Sequence, residues 1–290
     1  MLAEVISADS MQVYRGMDIG TAKPSLKERS LLPHHLIDIR NPDEQFNAGD
    51  FVRLGDEACI EIAGRKKLPV ISGGTGFYLK NFILGLPAAP PPDKEIRRSL
   101  KQELLEKGSG PLMQELAVVD PISAARIHIN DEFRLLRALE VQRTCGRPLS
   151  SFEVPAAISR PQYRFIIIGL SRPRQELYSR IDLRCSAMFR QGLAAEVNRL
   201  FEQGYTPQNP GLRAIGYREF FSEEADKPGK WRLSRDTAGV EVLVARNSRR
   251  YAKRQIVFFA SIPGVQWIAA GPDEAETAGR IREMLKGIVF

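Results

Sequence analysis

The stretch Glu4-Val-Ile-Ser-Ala-Asp-Ser10 joins a short apolar run to a carboxylate and a hydroxyl that directly follow it. The run predicts a β-strand, with Asp9 and Ser10 just past its carboxyl end. In open α/β sheets, ligands bind at this edge. Asp9 is therefore a candidate general base or metal ligand. The alternative is that its carboxylate only stabilises an Asx turn.

Further short apolar runs end in polar or glycine-rich turns, and helical patterns separate them. Asn47–Arg65, for example, has a capping residue and one apolar face. Alternation of this kind predicts an α/β fold, in which helices cover a mostly parallel sheet. The additional predicted strands are His35–Ile39, Leu68–Ser72, Arg164–Leu170 and Val265–Ala269.

A proline-rich break, Gly85–Pro92, interrupts this alternation, and only helical patterns follow until about Arg147. The sequence therefore predicts an α/β core of residues 1–86 and 163–290, with a helical insertion domain of residues 87–162. After the break, the core is expected to continue with helices at Arg174–Gly204, Arg213–Phe221 and Leu233–Ser261.

The composition limits the class of protein and of partner. The 290 residues carry a net charge of +7, with a pI near 9.4, which favours a polyanionic partner. No run of 18 apolar residues predicts a transmembrane helix, and the first residues form no basic leader. The three cysteines lie far apart in sequence, so neither a disulfide framework nor a zinc site is expected and a reducing cytoplasm fits.

A glycine-rich turn follows the strand Leu68–Ser72 and leads into a predicted helix, Phe77–Leu84. Backbone amides of such a turn at a helix N-terminus can hold an anion. Alternatively, the glycines only permit a tight turn, and Thr75 caps the helix. The turn is not a Walker A motif, because GxxxxGK[ST] is absent from the chain.

Two arginine pairs are candidate phosphate ligands. Arg134 and Arg137 share a helical face, which grips a phosphate backbone or is merely solvated. Arg213 and Arg218 flank Gly216-Tyr217, and arginine suits bidentate capture of a diphosphate.

The densest basic stretch is Arg246–Arg254, with five cations in nine residues and no acid. Four of the cations recur at helical spacing on one face, whereas apolar residues lie on the opposite side. This pattern predicts a phosphate-backbone track on an anchored helix, against the alternative of a solvated face. The face carries Arg246, Arg249, Arg250 and Lys253.

Six segments resemble motifs of the bacterial tRNA dimethylallyltransferases, in the order and roughly the spacing of that family. They extend from Ile6 to Ile256, and the first is the most specific. The segments are Ile6–Pro24, Gly73–Tyr78, Ala125–Asp131, Arg134–Val141, Leu212–Arg218 and Ala252–Ile256.

The resemblance implies a P-loop NTPase-like α/β core with an inserted all-helical domain. It implies transfer of a dimethylallyl group from dimethylallyl diphosphate to the exocyclic amine of the adenosine 3′-adjacent to the tRNA anticodon, with Mg²⁺ as cofactor. The family needs no ATP hydrolysis, although its fold attracts the labels nucleotide-binding and ATP-binding. A cytoplasmic monomer without membrane association is expected.

Carried over residue by residue, the resemblance makes Asp9 the general base and Arg218 the diphosphate ligand. The arginine pattern adds Arg213 as a second candidate for the diphosphate. Ser10, Met11 and Gln12 would line the pocket for the adenine. The metal ligands stay unknown. The further implied tRNA contacts are Thr75, Arg97, Phe133, Arg134, Leu135, Leu136, Arg137, Arg213, Ala214, Ile215, Gly216, Tyr217, Lys253, Arg254 and Gln255.

The chain departs from the family pattern in one respect. Family members normally begin with a strand, a GPTxxGKT loop and a helix, whereas Met1-Leu-Ala-Glu4 lies where that helix should end. The loop supplies an amide nest and a lysine that act together on the leaving diphosphate. Little or no transfer is therefore expected of this chain by itself.

Two other functions stay open at this point. The first is non-catalytic binding of the tRNA anticodon arm, which the missing loop favours. The second is a small-molecule kinase on the same core, which would also need a phosphate loop and leaves the basic stretch Arg246–Arg254 unexplained.

Overall fold

The computed structural model describes residues 2–152, 160–225 and 227–288. The chain forms two compact units. The core unit comprises Met1–Ile83 and Pro161–Phe290, and the helical unit comprises Leu84–Arg160.

The N-terminal part of the core unit is a three-stranded parallel sheet. Its strands are β1 (Ala3–Ser7), β2 (His34–His35) and β3 (Leu68–Ser72), in the order β2-β1-β3. Parallel neighbours need crossover connections, which here contain α1 (Leu26–Leu31) and α2 (Ala48–Gly64). The predicted strand at His35–Ile39 is shorter than expected, because Leu36 and Asp38 have positive φ angles of 63° and 57° and leave the extended region.

Helix α2 shows how sequence sets this architecture. Asn47 caps it by accepting hydrogen bonds from the amides of Gly49 and Asp50. Its buried face, which includes Phe51 and Ile62, packs into the core of the unit. The ring of Phe51 stacks on Tyr78 of α3 (Gly76–Leu84), with the centroids 5.0 Å apart.

The helical unit is built from α4 (Lys94–Lys107), α5 (Ser109–Val119), α6 (Pro121–Ala124) and α7 (Glu132–Cys145). Leucines from three of these helices form its core, and Leu100, Leu116 and Leu139 are fully buried. Glu140 of α7 is also completely buried, and its carboxylate accepts hydrogen bonds from Arg97 and Arg137 at 3.0 Å each. Burial of a carboxylate requires such pairing.

The C-terminal part of the core unit begins with β4 (Ile168–Ser171), α8 (Arg174–Arg190) and α9 (Leu193–Glu202). A single helix was expected at Arg174–Gly204. The break between α8 and α9 occurs at Gly192, whose φ angle of 101° is incompatible with a continuous right-handed helix.

The segment predicted as a helix, Arg213–Phe221, is not one. It contains two short 3₁₀ turns, Gly211–Arg213 and Arg218–Phe220, and Gly216 between them has a φ of 97°. An antiparallel hairpin, β5 (Phe221–Glu224) and β6 (Lys227–Leu233), follows and was missed by the prediction.

The chain continues with α10 (Thr237–Phe259), β7 (Gln266–Ala269) and α11 (Glu274–Met284). Strand β7 pairs in parallel with β4. Among the described residues, the expected parallel sheet thus consists of two pieces, β2-β1-β3 and β4-β7, beside the hairpin. The α/β class is confirmed. No helix in the described ranges is long and apolar enough to cross a membrane.

Candidate active site

Asp9 lies directly after β1, at the carboxyl edge of the sheet, as its sequence position predicts. Its Oδ1 accepts hydrogen bonds from the amides of Met11 at 2.8 Å and Gln12 at 3.2 Å. The described residues provide no hydrogen bond to its Oδ2. The carboxylate therefore stabilises an Asx turn with one oxygen and leaves the other available to a ligand.

The glycine turn after β3 meets the end of β1 at the same edge. The Ser10 amide donates to Thr75 Oγ1 at 2.9 Å, and this hydroxyl donates to Ser10 Oγ at 3.2 Å. The Thr75 amide donates to the Ala8 carbonyl at 3.1 Å. The two strand ends approach so closely at Gly73 that a Cβ atom there would lie 2.4 Å from the Ala8 carbonyl. Thr75 therefore holds the turn beside Asp9 and does not only cap α3.

Helix α10 packs against the outer side of this turn. Gln255 Nε2 donates to the Gly74 carbonyl at 2.7 Å, and the Tyr251 hydroxyl donates to the same oxygen at 3.4 Å. Burial raises the pKa of Tyr251, and the nearby charge of Asp9 raises it further. Sequence reasoning missed Tyr251, although it lies one helical turn before Gln255 and inside the basic stretch.

The long polar loop after Asp9 is held by its own side chains. Gln12 accepts from the Ser7 hydroxyl at 2.9 Å and donates to the Thr21 carbonyl at 3.3 Å. Lys23 is almost completely buried, and its ammonium contacts Asp18 and Asp38 at 2.6 Å each. A charge this deeply buried requires such partners. These polar side chains therefore mainly stabilise the conformation of the loop.

A carboxylate from α9 clamps the same loop. Glu196 is 2% exposed, and it accepts hydrogen bonds from the consecutive amides of Asp18, Ile19 and Gly20 at 3.0–3.3 Å. It also accepts from the Tyr217 hydroxyl at 2.7 Å. Sequence reasoning missed Glu196, because a glutamate on an amphipathic helix is usually exposed.

Tyr217 is fully buried beneath this loop, and a Cβ atom on Gly20 would lie 2.5 Å from its ring. Ala214 is also buried. Both were expected to contact tRNA, and the structure places both side chains in the core of the unit instead. Of this segment, Arg213 and Arg218 are exposed, and the buried residues between them fix the backbone that carries both.

The two arginines are held differently. Arg213 donates from Nε and Nη2 to the carbonyls of Pro207 and Gln208 at 3.1 and 2.9 Å. Arg218 donates from Nε to Glu219 at 3.2 Å, and about half of its side chain is exposed. Arg218 is the better placed of the two to receive an anion, because the described residues occupy neither of its Nη atoms.

Helix α10 carries the predicted cationic face, but the residues of this face differ in exposure and in their partners. Arg249 is half-buried and pairs with Asp182 of α8. The ring of Tyr251 lies 5.7 Å from the guanidinium of Arg254. The exposed members of the basic stretch are Arg246, Arg250, Lys253 and Arg254.

In the helical unit, the predicted contacts fall into three groups. Leu135 and Leu136 are buried in the core of the unit, so their side chains pack and do not face a ligand. Arg97 and Arg137 are occupied by the buried Glu140. The exposed side chains are those of Arg134, which pairs with Asp131 at 2.9 Å, and Phe133, which lies 5.0 Å from the Arg97 guanidinium.

In the described part of the chain, no three His, Cys, Asp or Glu side chains come together in a group that could hold an ion.

The family model for IPP transferase matches residues 12–261. The chain belongs to that family.

Many curated proteins are similar to this chain in sequence. The chain is 46% identical over 265 residues to tRNA dimethylallyltransferase 2 of Geotalea daltonii, which covers 91% of this chain and 79% of the relative. It is 43% identical over 265 residues to tRNA dimethylallyltransferase of Geobacter sulfurreducens, with 91% and 83% covered.

Solved structures of similar proteins superpose on this chain. The full-length tRNA isopentenylpyrophosphate transferase from Bacillus halodurans superposes with a TM-score of 0.65 and 35% identity, covering 98% of this chain and 88% of that chain. A eukaryotic dimethylallyltransferase acting on tRNA superposes with a TM-score of 0.76 at 24% identity, over 97% of this chain and 71% of that chain, and therefore shows likeness of fold alone.

Proposed function

We propose that this protein transfers a dimethylallyl group from dimethylallyl diphosphate to the exocyclic amine of the adenosine 3′-adjacent to the anticodon of a tRNA. The observation that carries the proposal is the geometry of Asp9. Two backbone amides orient its carboxylate through Oδ1, and Oδ2 has no partner among the described residues. A general base needs this combination of fixed orientation and a free oxygen.

The proposed reaction is a displacement. The amine nitrogen forms a bond to the dimethylallyl carbon, and the bond from that carbon to the diphosphate oxygen breaks. The diphosphate leaves with the electron pair and is held by the Nη atoms of Arg218. Asp9 takes the proton that the amine loses. The adenosine has to leave its stack to reach Asp9, because its exocyclic amine is otherwise buried in the anticodon loop.

Ser10, Met11 and Gln12 form the floor on which the base would rest. The backbone of this floor is rigid, because Asp9 and Thr75 hold it from both sides. The proposed contacts with tRNA phosphates are the exposed cations of α10, for which the described residues provide no carboxylate partner, together with Thr75 and Arg213. Phe133 and Arg134 are the exposed members of the proposed contacts in the helical unit.

Magnesium belongs to the proposal as the counter-ion of the diphosphate, on the strength of the family. No step of the reaction is assigned to it, because the described residues form no cluster of metal ligands. A cytoplasmic monomer completes the proposal, and light scattering of the purified chain tests its oligomeric state.

One observation favours a second candidate, non-catalytic tRNA binding. The Asx turn already gives Asp9 a structural task, so this carboxylate needs no chemistry to explain its position.

The test is prenyl transfer. The chain is mixed with labelled dimethylallyl diphosphate, Mg²⁺ and an anticodon stem-loop with three consecutive adenosines, and label in RNA is followed. A parallel sample carries the strand–GPTxxGKT–helix segment of a relative joined before Met1. Label incorporated by either protein, in an Asp9-dependent manner, supports the transferase. Stem-loop binding by both proteins without any incorporation would favour the non-catalytic reading.

A further inference from the structure

Glu219 is a buried carboxylate next to the proposed diphosphate ligand Arg218. Its side chain is 4% exposed and accepts three hydrogen bonds. The Gly216 amide donates to Oε2 at 2.9 Å, whereas Asn247 Nδ2 and Arg218 Nε donate to Oε1 at 2.7 and 3.2 Å. A buried carboxylate with donors on both oxygens cannot rotate freely.

The contact with Arg218 uses only one of the five N–H groups of the guanidinium. Because the guanidinium is planar, a bond at Nε fixes the direction in which the two Nη atoms point. Neither Nη atom has a hydrogen-bond partner in the described residues, and about half of the side chain is exposed. The bond at Nε therefore orients the guanidinium, and the two Nη atoms, which can bind a pair of phosphate oxygens, stay available to a ligand.

The groups that hold Glu219 come from two independent elements. Gly216 contributes its amide from a turn with a φ angle of 97°, which favours glycine. Asn247 reaches Glu219 from α10. The turn is itself anchored, because the hydroxyl of Tyr217 is bound to Glu196. The position of Glu219 is thus set before any ligand binds.

We infer that Glu219 is a positioning residue, which orients the Arg218 guanidinium so that both Nη atoms face the leaving diphosphate. The inference rests on the proposed function, since it assumes that Arg218 is the diphosphate ligand. It predicts that Glu219 contributes to diphosphate affinity only through Arg218, although a negative charge by itself would repel the ligand.

The experiment is a double-mutant cycle on binding of inorganic pyrophosphate with excess Mg²⁺, measured by phosphorus NMR titration of the full chain. The variants are Glu219→Gln, Arg218→Gln and the combination of both. Glu202→Gln, an exposed glutamate on α9, is the matched control. Thermal unfolding of each variant shows whether it is folded.

Arg218→Gln is expected to weaken pyrophosphate binding about tenfold or more, because it removes a charged bidentate ligand. Glu219→Gln is expected to weaken it about threefold to tenfold, since an unoriented guanidinium binds less well. The double variant is expected to bind like Arg218→Gln alone. Glu202→Gln is expected to bind like the unaltered chain.

The outcomes distinguish the positioning role of Glu219 from the diphosphate-binding role of Arg218. If Glu219→Gln binds like the unaltered chain, or if the two losses multiply in the double variant, Glu219 does not act through Arg218 and the inference is overturned. If Arg218→Gln has no effect, or if pyrophosphate binds neither the unaltered chain nor the protein with the GPTxxGKT segment joined before Met1, the diphosphate role of Arg218 in the proposed function fails as well. Should Glu219→Gln unfold, Asn247→Ala removes one donor from Glu219 and is expected to weaken binding, again only when Arg218 is present.

Discussion

The hydroxyl of Tyr217 donates a 2.7 Å hydrogen bond to the carboxylate of Glu196, and this pair ties together two segments that lie far apart in the sequence. The carboxylate also accepts from three consecutive amides of the loop that follows Asp9. Burial raises the pKa of Tyr217, and the adjacent carboxylate of Glu196 raises it further, so Tyr217 stays a neutral donor. The loop with the proposed base pocket and the turn with Arg218 therefore share one anchor.

Removal of this hydroxyl is expected to destabilise the core unit. Tyr217→Phe leaves the ring in place but takes one of four donors from a buried carboxylate, which costs about 1–2 kcal/mol. Urea unfolding followed by fluorescence measures the change. Tyr178→Phe, a half-buried tyrosine of α8, is the control and is expected to change the free energy of unfolding by less than about 0.5 kcal/mol. Equal stability of Tyr217→Phe and the unaltered chain would contradict the anchor.

Asp9→Asn separates the two roles of Asp9. Asparagine keeps an oxygen that can accept from the Met11 and Gln12 amides, but it is not a base. In the protein with the strand–GPTxxGKT–helix segment joined before Met1, turnover is expected to fall by about 10²–10⁴ with little change in melting temperature. Asp9→Ala is expected to lose both turnover and part of the stability. A turnover of Asp9→Asn close to that of the unaltered protein would leave Asp9 with its turn role only.

Arg250→Ala tests the cationic face of α10. Arg250 is exposed, unlike its neighbour Arg249, which pairs with Asp182. Its loss is expected to weaken stem-loop affinity more than the maximal rate, and to reduce the slope of log affinity against log salt by about 1. The control is Arg53→Ala, which removes an exposed arginine of α2 that is far in sequence from Arg250. A salt slope identical to that of the unaltered chain would exclude Arg250 from the phosphate track.

The acid side of the stability profile is expected to depend on Glu4. Hydrogen bonds from Arg65, Lys67 and His35 hold the pKa of this carboxyl far below its ordinary value of 4.5. A carboxyl with a depressed folded-state pKa adds stability above its unfolded-state pKa and loses this contribution as the pH falls.

Glu4→Gln is therefore expected to unfold more easily than the unaltered chain at pH 6–7, and the difference is expected to shrink progressively below about pH 4.5. Urea titrations at a series of pH values measure both proteins. Glu57→Gln removes the exposed partner of Arg53 and is expected to show a small difference throughout. A difference between Glu4→Gln and the unaltered chain that grows towards low pH would refute the assignment.

The sequence correctly predicted those strands and helices whose residues carry a clear apolar pattern. The strands around Glu4–Ser7 and Leu68–Ser72 and the capped helix α2 are present, because an apolar run or face specifies each of them. The helix expected at Arg213–Phe221 is absent, since the left-handed backbone of Gly216 interrupts it. The hairpin β5–β6 was missed because charged residues occur in both strands and a register shift between Glu223 and Glu224 interrupts their pairing.

The residues of the candidate site likewise fall into those that the sequence predicted and those that it missed. Asp9, Thr75 and Arg218 stand out in the sequence because strand ends, glycine turns and arginines are local signals. Glu196 and Glu219 do not, because a glutamate becomes a buried anchor only through partners from distant parts of the chain. Leu135 and Leu136 show the opposite effect: motif membership suggested a contact with tRNA, whereas the helical periodicity of α7 places them in the core.

Gly73 has a consequence for how this protein can change over generations. No side chain fits between this residue and the Ala8 carbonyl, because even a methyl carbon would lie 2.4 Å from that oxygen. Every non-synonymous single-base change of a glycine codon introduces a side chain or a stop. The close contact between the glycine turn and the end of β1 therefore excludes every amino-acid substitution that a single-base change at this codon can produce.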